Sequence, residues 1–196
     1  MPSSDAYEQV EVTTREAWRE WLAANHGASP GVWLVTHKKA EGERHVSYEA
    51  TVEEALCFGW IDSKGRRLDE RRTMLLFTPR KAGSGWSRPN KQRLERLFAA
   101  EQMAPAGIAM VEAAKADGSW TALDDIENLV EPDDLRAALD ASPAARGSWD
   151  GFPRSAKRSI LEWISTAKRA ETRAKRIEET ATLAASGERA NQSPPR

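Results

Sequence analysis

The residues best suited to chemistry lie between positions 57 and 91. The stretch CFGWIDSKGRRLDE, residues 57–70, places acids and bases beside an apolar run, and SGWSRPNK, residues 84–91, adds hydroxyl, amide and cationic groups. Cationic side chains and hydroxyls in this combination favour binding of a small anionic or phosphorylated ligand. We therefore predict that residues 57–70 form one wall of a polar groove. The candidate ligand-binding residues are Trp60, Asp62, Arg80, Lys81, Ser84, Trp86, Ser87, Asn90 and Lys91.

A helix start at Ser87 is the centre of this predicted site. Serine is a good N-cap residue, and Pro89 is tolerated in the first turn. A helix N-terminus carries about half a positive charge and unpaired N–H groups, which suit phosphate or carboxylate. A hairpin ending near residue 79 would bring Arg80 and Lys81 to the same place. The alternative is that Ser87 is only a cap, that Asp62 pairs with Arg80, and that the tryptophans are core residues.

Other chemistries find less support in the sequence. The three histidines have no metal-ligand spacing and the chain has one cysteine, Cys57, so we predict neither a metal site nor a cofactor. Cys57 lies in an apolar run, which indicates a buried, unreactive thiol. The sequence contains no glycine-rich phosphate loop and no nucleophile elbow. An enzyme of unknown reaction that uses Asp62 or Ser84 in the same groove remains an alternative.

Charge is distributed unevenly along the chain. The net charge is −1, yet residues 62–96 hold eleven Lys/Arg against four Asp/Glu, and residues 154–179 hold eight against four. These basic segments make nucleic-acid binding an alternative, with a row of arginines at helical spacing as the phosphate contacts. A solvated helix face, neutralised by the acidic residues 124–134, is the simpler interpretation. The row consists of Arg169, Arg173 and Arg176.

The elements that would position these residues follow from hydrophobic periodicity and capping signals. We predict an α+β protein with an antiparallel sheet of about four strands, helices on one face, and a small all-helical C-terminal domain. A helix follows a cap at Thr13 or Thr14, and another follows Ser47. Gly65 marks either the hairpin turn or a bulge. The predicted strands are 8–12, 32–35, 59–68 and 72–78, and the predicted N-terminal helices also include 88–100 and 105–116.

Domain boundaries are predicted from changes in composition. Residues 1–125 form the α+β domain, 126–134 an acidic linker, 135–186 the helical domain, and 187–196 a disordered tail. The three C-terminal helices are expected at about 133–140, 153–168 and 170–186. The sequence shows no export signal and no apolar run near the ~20 residues that span a bilayer. We therefore expect a cytoplasmic protein with no membrane partner.

Five blocks of the sequence resemble the YdeI/OmpD-associated family, also called bacteriocin-protection proteins. The blocks are SYEATVEEALCFGWIDSK, LDERRTMLLFTPRK, SGWSRPNKQRLERL, MAPAGIAMVEAAKADGSW and AKRSILEWISTAKRAETRAKRI. The resemblance implies a mixed α and β N-terminal part and a helical C-terminal module, and it brings no established catalytic residues. It also implies a role in stress or antimicrobial-peptide resistance, which must be indirect for a cytoplasmic protein. A protein-interaction module, with C-terminal helices that dock an unknown protein partner, is a further alternative.

Overall fold

The chain forms two units, one up to Thr121 and one from Ala122 onward. This division comes from a computed structural model, which describes residues 6–192. Residues 1–5 and the last four residues of the predicted tail, 193–196, lie outside the described residues. None of the helices in the described part of the chain combines the length and the apolar character needed to cross a membrane.

A four-stranded sheet with the order β1-β2-β4-β3 forms the base of the N-terminal unit. The α+β class is confirmed, but the sheet is mixed, because β1 pairs with β2 in parallel while the other two pairs are antiparallel. A helix connects β1 to β2, and such a crossover returns the chain so that the second strand runs parallel to the first. The strands are β1 (Glu8–Glu11), β2 (Val32–His37), β3 (Trp60–Arg67) and β4 (Arg72–Pro79).

The helices of this unit begin where the sequence places its capping residues. The Oγ1 of Thr14 accepts the N–H of Ala17, and the Oγ of Ser47 accepts the N–H of Ala50, both at 3.1 Å. A 3₁₀ segment, Lys39–Arg44, follows β2, and Gly42 sits in it with φ 63°. The helices are α1 (Arg15–Asn25), α2 (Tyr48–Cys57), α3 (Arg88–Ala99) and α4 (Pro105–Ala116).

The β3–β4 hairpin has an irregular edge and a tightly held turn. The register shifts between Asp62 and Gly65, so the expected irregularity near Gly65 is a bulge within β3. The turn follows Arg67, where the Asp69 Oδ1 accepts the backbone N–H groups of Arg71 and Arg72 at 2.8 and 2.7 Å. A bulge in an edge strand also disfavours pairing with another chain.

The core of the N-terminal unit lies between the sheet and its helices. Val32 and Leu34 of β2 alternate with Trp33 and Val35, and the first two belong to the core cluster with residues of α1 and α2. Trp33 lies on the opposite face, where the guanidinium carbon of Arg66 is 4.7 Å from its ring centroid. Principal core side chains are Trp18, Leu22, Leu34, Val52, Leu56, Phe77, Trp86 and Leu94.

The second unit is helical, as predicted, and it includes the acidic segment that was expected to be a linker. Ile126 is buried in its core, and Glu131 accepts the indole N–H of Trp149 at 2.7 Å. In the predicted tail, Ala190 is also buried in this core. The helices are α5 (Asp124–Glu127), α6 (Asp133–Asp140), α7 (Pro143–Gly151), α8 (Arg154–Ser165) and α9 (Ala170–Ala185).

Candidate functional site

Arg80, the principal cation of the predicted site, is turned into its own loop. It is 7% exposed, and its Nη2 donates to the carbonyl oxygens of Ser84 and Gly85 at 3.2 and 2.5 Å. Its guanidinium carbon lies 3.7 Å from the ring centroid of Trp86, a cation–π contact. Burial lowers the pKa of Arg80 to about 10, so the group stays charged at neutral pH. Arg80 therefore stabilises the loop that follows β4 and does not extend toward a ligand.

The other predicted residues of this segment are also engaged in local packing. The Oγ of Ser84 donates to the carbonyl of Lys81 at 2.6 Å. Ser87 is the N-cap residue of α3, although its side chain makes no capping hydrogen bond. Asn90 is buried and accepts from Arg93, while the Nζ of Lys91 lies 5.1 Å from the ring centroid of Trp120.

Trp60 and Asp62 have roles outside this loop. Trp60 is fully buried, and its indole N–H donates to the carbonyl of His26 at 3.2 Å. Asp62 accepts a hydrogen bond from Tyr48. The structure thus brings Arg80, Ser84 and Trp86 together as predicted, whereas the Trp60 indole and the Asp62 carboxylate bond to other segments. Beside Arg80 lies a small cavity of about 10 Å³, which is room for about one water molecule and not for a metabolite.

A groove of about 420 Å³ lies instead between the sheet and the N-terminal end of α2. Leu34 of β2 and Leu75 of β4 form its apolar floor, since they are antiparallel partners on the helix-covered face. Val46, Tyr48 and Thr51 form the opposite wall. We call this space the basic groove. Its size suits a small organic molecule, because ligand sites measure roughly 300–1,000 Å³.

The residues that line the basic groove carry positive charge and no carboxylate. Three are cationic, namely Lys38, Arg66 and Arg67, two are His37 and His45, and none is Asp or Glu. Because Arg66 stacks on Trp33, Lys38 and Arg67 are the cations held at the groove edge. Such a lining attracts an anion and disfavours a cation.

The β3–β4 turn holds these two cations at the edge of the groove. The Nζ of Lys38 donates to the carbonyl of Glu70 at 2.8 Å, and the Nε of Arg67 donates to the carbonyl of Asp69 at 3.1 Å. The two terminal nitrogens of Arg67 make no hydrogen bond within residues 6–192, so they are available to a ligand. A guanidinium presents these donors in a fixed fork that matches phosphate and carboxylate.

His45 adds an imidazole ring to the groove, and one hydrogen bond identifies which of its two nitrogens carries a proton. Its Nδ1 lies 2.7 Å from the carbonyl oxygen of His37, and a carbonyl can only accept, so Nδ1 carries a proton. In the neutral ring, Nε2 is therefore the unprotonated nitrogen. Ser47, two residues later, caps α2, whose N-terminus adjoins the groove through Tyr48. The positive end of the helix thus reinforces the cationic rim.

Gly65 keeps the groove open on the β3 side. It pairs with Leu75, and a Cβ at this position would meet only the Cδ1 of Leu75, at 3.9 Å. That distance is an ordinary van der Waals contact, so a larger side chain here would extend into the groove without displacing the backbone.

In the second unit, two members of the predicted arginine row are paired internally. Arg173 donates to both carboxylate oxygens of Asp134 at 2.7 and 2.9 Å. Arg176 stacks on Trp163 and donates to Thr166. Asp134 belongs to the acidic segment, so this segment neutralises part of the row from within, as the solvated-face interpretation expects. Among residues 6–192, no three His, Cys, Asp or Glu side chains are grouped to hold a metal ion.

Fold and site together define an α+β protein whose N-terminal unit contains a basic groove, followed by a helical unit. Residues 10–110 match a family model described as a domain of unknown function (DUF8412), and residues 128–187 match the model described as Bacteriocin-protection, YdeI or OmpD-Associated. The first model covers just over half of the chain, so the chain belongs to the family of that domain of unknown function, and residues 128–187 are similar to the YdeI/OmpD-associated family, in agreement with the resemblance of the sequence. No curated protein and no solved structure matches the chain.

Proposed function

We propose that the N-terminal unit binds a small anionic ligand that has an apolar or aromatic body, and that it does so in the basic groove. The single observation that carries this proposal is the lining: a floor of Leu34 and Leu75, a rim of Lys38 and Arg67, and no carboxylate. A molecule with one charged end and one apolar end satisfies both parts at once.

The electrostatic character of the basic groove favours a negatively charged ligand. Two cationic side chains at the rim and the positive end of α2 repel a positive ligand and attract a phosphate or carboxylate. Arg67 supplies the strongest contact, because charge-assisted bonds to a guanidinium are about twice as strong as neutral ones.

The site differs from the one predicted around Ser87, although the ligand class is the same. Arg80 and Trp86 are buried against each other, whereas Arg67 has unpaired terminal nitrogens within the described residues. The stretch 57–70 supplies one wall of the groove through Gly65 and Arg67, which supports the original interpretation of that stretch. An indirect role in stress or antimicrobial-peptide resistance is supported only by the match to the YdeI/OmpD-associated family model.

Phenyl phosphate tests the proposal, because it combines an aromatic ring with a dianion. We expect it to raise the thermal unfolding midpoint by more than inorganic phosphate, which lacks the ring, and by more than benzyl alcohol, which lacks the charge. Equal shifts for phenyl phosphate and inorganic phosphate would show that the apolar floor takes no part. Equal shifts for phenyl phosphate and benzyl alcohol would remove the anion site.

A matched pair of variants locates the binding. Arg67→Met removes the guanidinium at the groove edge and should weaken phenyl phosphate binding on the order of tenfold. Arg71→Met makes the same change in charge four residues later, where Arg71 lies outside the groove and pairs weakly with Glu41 at 3.8 Å. Arg71→Met should leave the affinity for phenyl phosphate within about twofold of the wild-type value, since remote surface charges are screened by salt. Equal losses of affinity in the two variants would mean that binding depends only on the net charge of the protein and not on the position of Arg67.

A further inference from the structure

The loop after β4 encloses a second feature, separate from the basic groove. A small cavity of about 10 Å³ is lined by residues of this loop and by residues from the end of α4 and the turn that follows, including Asp117 and Ser119. Two polar atoms of its lining residues are buried without a hydrogen-bond partner within residues 6–192: the Nε of Arg80 and the Oγ of Ser119. Each of these residues is less than 9% exposed.

Such orphaned atoms need a partner that the chain itself does not supply. A buried N–H or O–H without a partner costs about 1–3 kcal/mol, and nearly all such groups in proteins are bonded to protein or to ordered water. Arg80 is a sharp case, because its Nη2 already bonds two carbonyls while its Nε–H has no acceptor.

We propose that this cavity is a binding site for one internal water molecule, which accepts a hydrogen bond from the Nε of Arg80 and bonds the hydroxyl of Ser119. The volume is close to that of one water-sized probe, and internal waters typically make about three hydrogen bonds. The third partner is the carboxylate of Asp117, which lines the same cavity and already accepts the N–H of Ser119 at 2.8 Å; the nearby side chain of Ser119 is also the largest cause of the lowered pKa of Asp117.

The nature of the occupant follows from the mixed character of these partners. The Nε of Arg80 only donates, the carboxylate of Asp117 only accepts, and the hydroxyl of Ser119 does both. A water molecule satisfies all three, whereas a chloride ion would be repelled by Asp117. No carboxylate forms an ion pair with Arg80 in the described part of the chain, so the water would link the two opposite charges at a distance.

This water would join two segments that are distant in sequence. Arg80 begins the loop that leads to α3, and Asp117 and Ser119 follow α4. Through Arg80 it would also hold Trp86, whose ring stacks on the guanidinium. Several residues of the predicted ligand site, Arg80, Ser84 and Trp86, would then form a hydrated structural joint.

Crystals of the full chain grown with sodium chloride, and matched crystals grown with sodium bromide, test this inference. We expect one density peak roughly 2.7–3.2 Å from both the Nε of Arg80 and the Oγ of Ser119, with no anomalous bromide signal. An anomalous peak at this position would show that a halide ion, and not a water molecule, occupies the cavity, which would overturn the proposal. A cavity without density, or an Arg80 Nε bonded to a protein atom, would also overturn the proposal.

Ser119→Val provides a second, independent measurement in solution. The methyl groups of the valine would occupy the cavity, and the substitution removes the hydroxyl that bonds the water. Oxygen-17 relaxation dispersion should therefore detect one long-lived water molecule fewer than in the wild type. Ser87→Ala is the control, because Ser87 does not line this cavity and its side chain makes no capping hydrogen bond, so its loss should leave that number unchanged. An unchanged number in Ser119→Val would contradict the site.

Discussion

The phenolic oxygen of Tyr48 lies 2.9 Å from the Oδ2 of Asp62, so the first turn of α2 is fastened to β3 beside the basic groove. Burial and this hydrogen bond to Asp62 raise the pKa of Tyr48, which keeps the phenol protonated and able to donate. The contact joins two segments of the groove that no strand pairing connects. It therefore sets the separation between the helix wall and the strand wall.

Tyr48→Phe should lower the free energy of unfolding by about 1 kcal/mol, because it removes one hydrogen bond to a partly exposed carboxylate. The ring that lines the groove remains, so affinity for phenyl phosphate should change by less than about threefold. Tyr7→Phe is the control, since the hydroxyl of Tyr7 makes no hydrogen bond within the described residues. Equal stability of the two variants, measured by urea unfolding, would show that the Tyr48 contact contributes nothing.

Glu54 should be the most sensitive carboxylate of α2. It is 3% exposed and contacts Arg15 at 2.5 Å and Arg19 at 2.7 Å. Glu54→Gln removes a buried charge that two partly exposed arginines share, and the loss of such charged hydrogen bonds costs about 1–3 kcal/mol. Glu49→Gln on the same helix removes the charge of a carboxylate that is 47% exposed and pairs with Arg93 and Arg96, and it should cost less than about 1 kcal/mol. Urea unfolding of both variants checks this, and similar losses would contradict the assignment of a buried network.

Asp69 should make stability depend on pH in the acidic range. A hydrogen bond from Arg72 and the backbone N–H groups of Arg71 and Arg72 lower the pKa of Asp69 to about 2. Because the pKa is lowered on folding, the ionised form stabilises the hairpin above the unfolded pKa of about 4. This contribution disappears as the pH falls from about 4 to 2.

The difference in thermal midpoint between wild type and Asp69→Asn should therefore be largest near neutral pH and shrink toward pH 2. Glu70→Gln in the same turn is the control, since the Glu70 carboxylate makes no hydrogen bond in the described part of the chain. Midpoints measured by circular dichroism across this range test the prediction. A difference that stays constant with pH would mean that the charge of Asp69 has no stabilising role.

Local signals in the sequence were sufficient for much of the fold. Thr14 and Ser47 cap their helices as predicted, because a capping bond joins residues only three apart. Cys57 is buried as predicted, and burial raises the pKa of its thiol to about 11. These features depend on neighbours in sequence or on a continuous apolar run.

One helix and the direction of one strand pair were missed for identifiable reasons. The helix α7 has a Ser142 cap and a proline at position 143, but Gly147 and Gly151 lower its intrinsic helix propensity, and buried Trp149 compensates through tertiary packing. The parallel β1–β2 pair was missed because strand direction depends on the crossover helix and not on the strand residues themselves.

The candidate site was harder to predict than the fold. Arg80 looked available because it is charged and close to a helix start, yet its burial against Trp86 depends on packing that no local pattern specifies. The basic groove joins residues 34–51 with residues 65–75, and only the sheet register brings them together. The one usable signal was the dense charge of residues 57–70 next to a glycine, Gly65.

Isothermal titration of Gly65→Leu with phenyl phosphate tests the basic groove most directly. The leucine side chain should fill the groove without displacing the backbone, so saturable binding should be lost while the thermal midpoint stays close to that of the wild type. Gly147→Leu, where an added side chain meets open space in the second unit, should bind as the wild type does. Wild-type affinity in a folded Gly65→Leu variant would contradict the account.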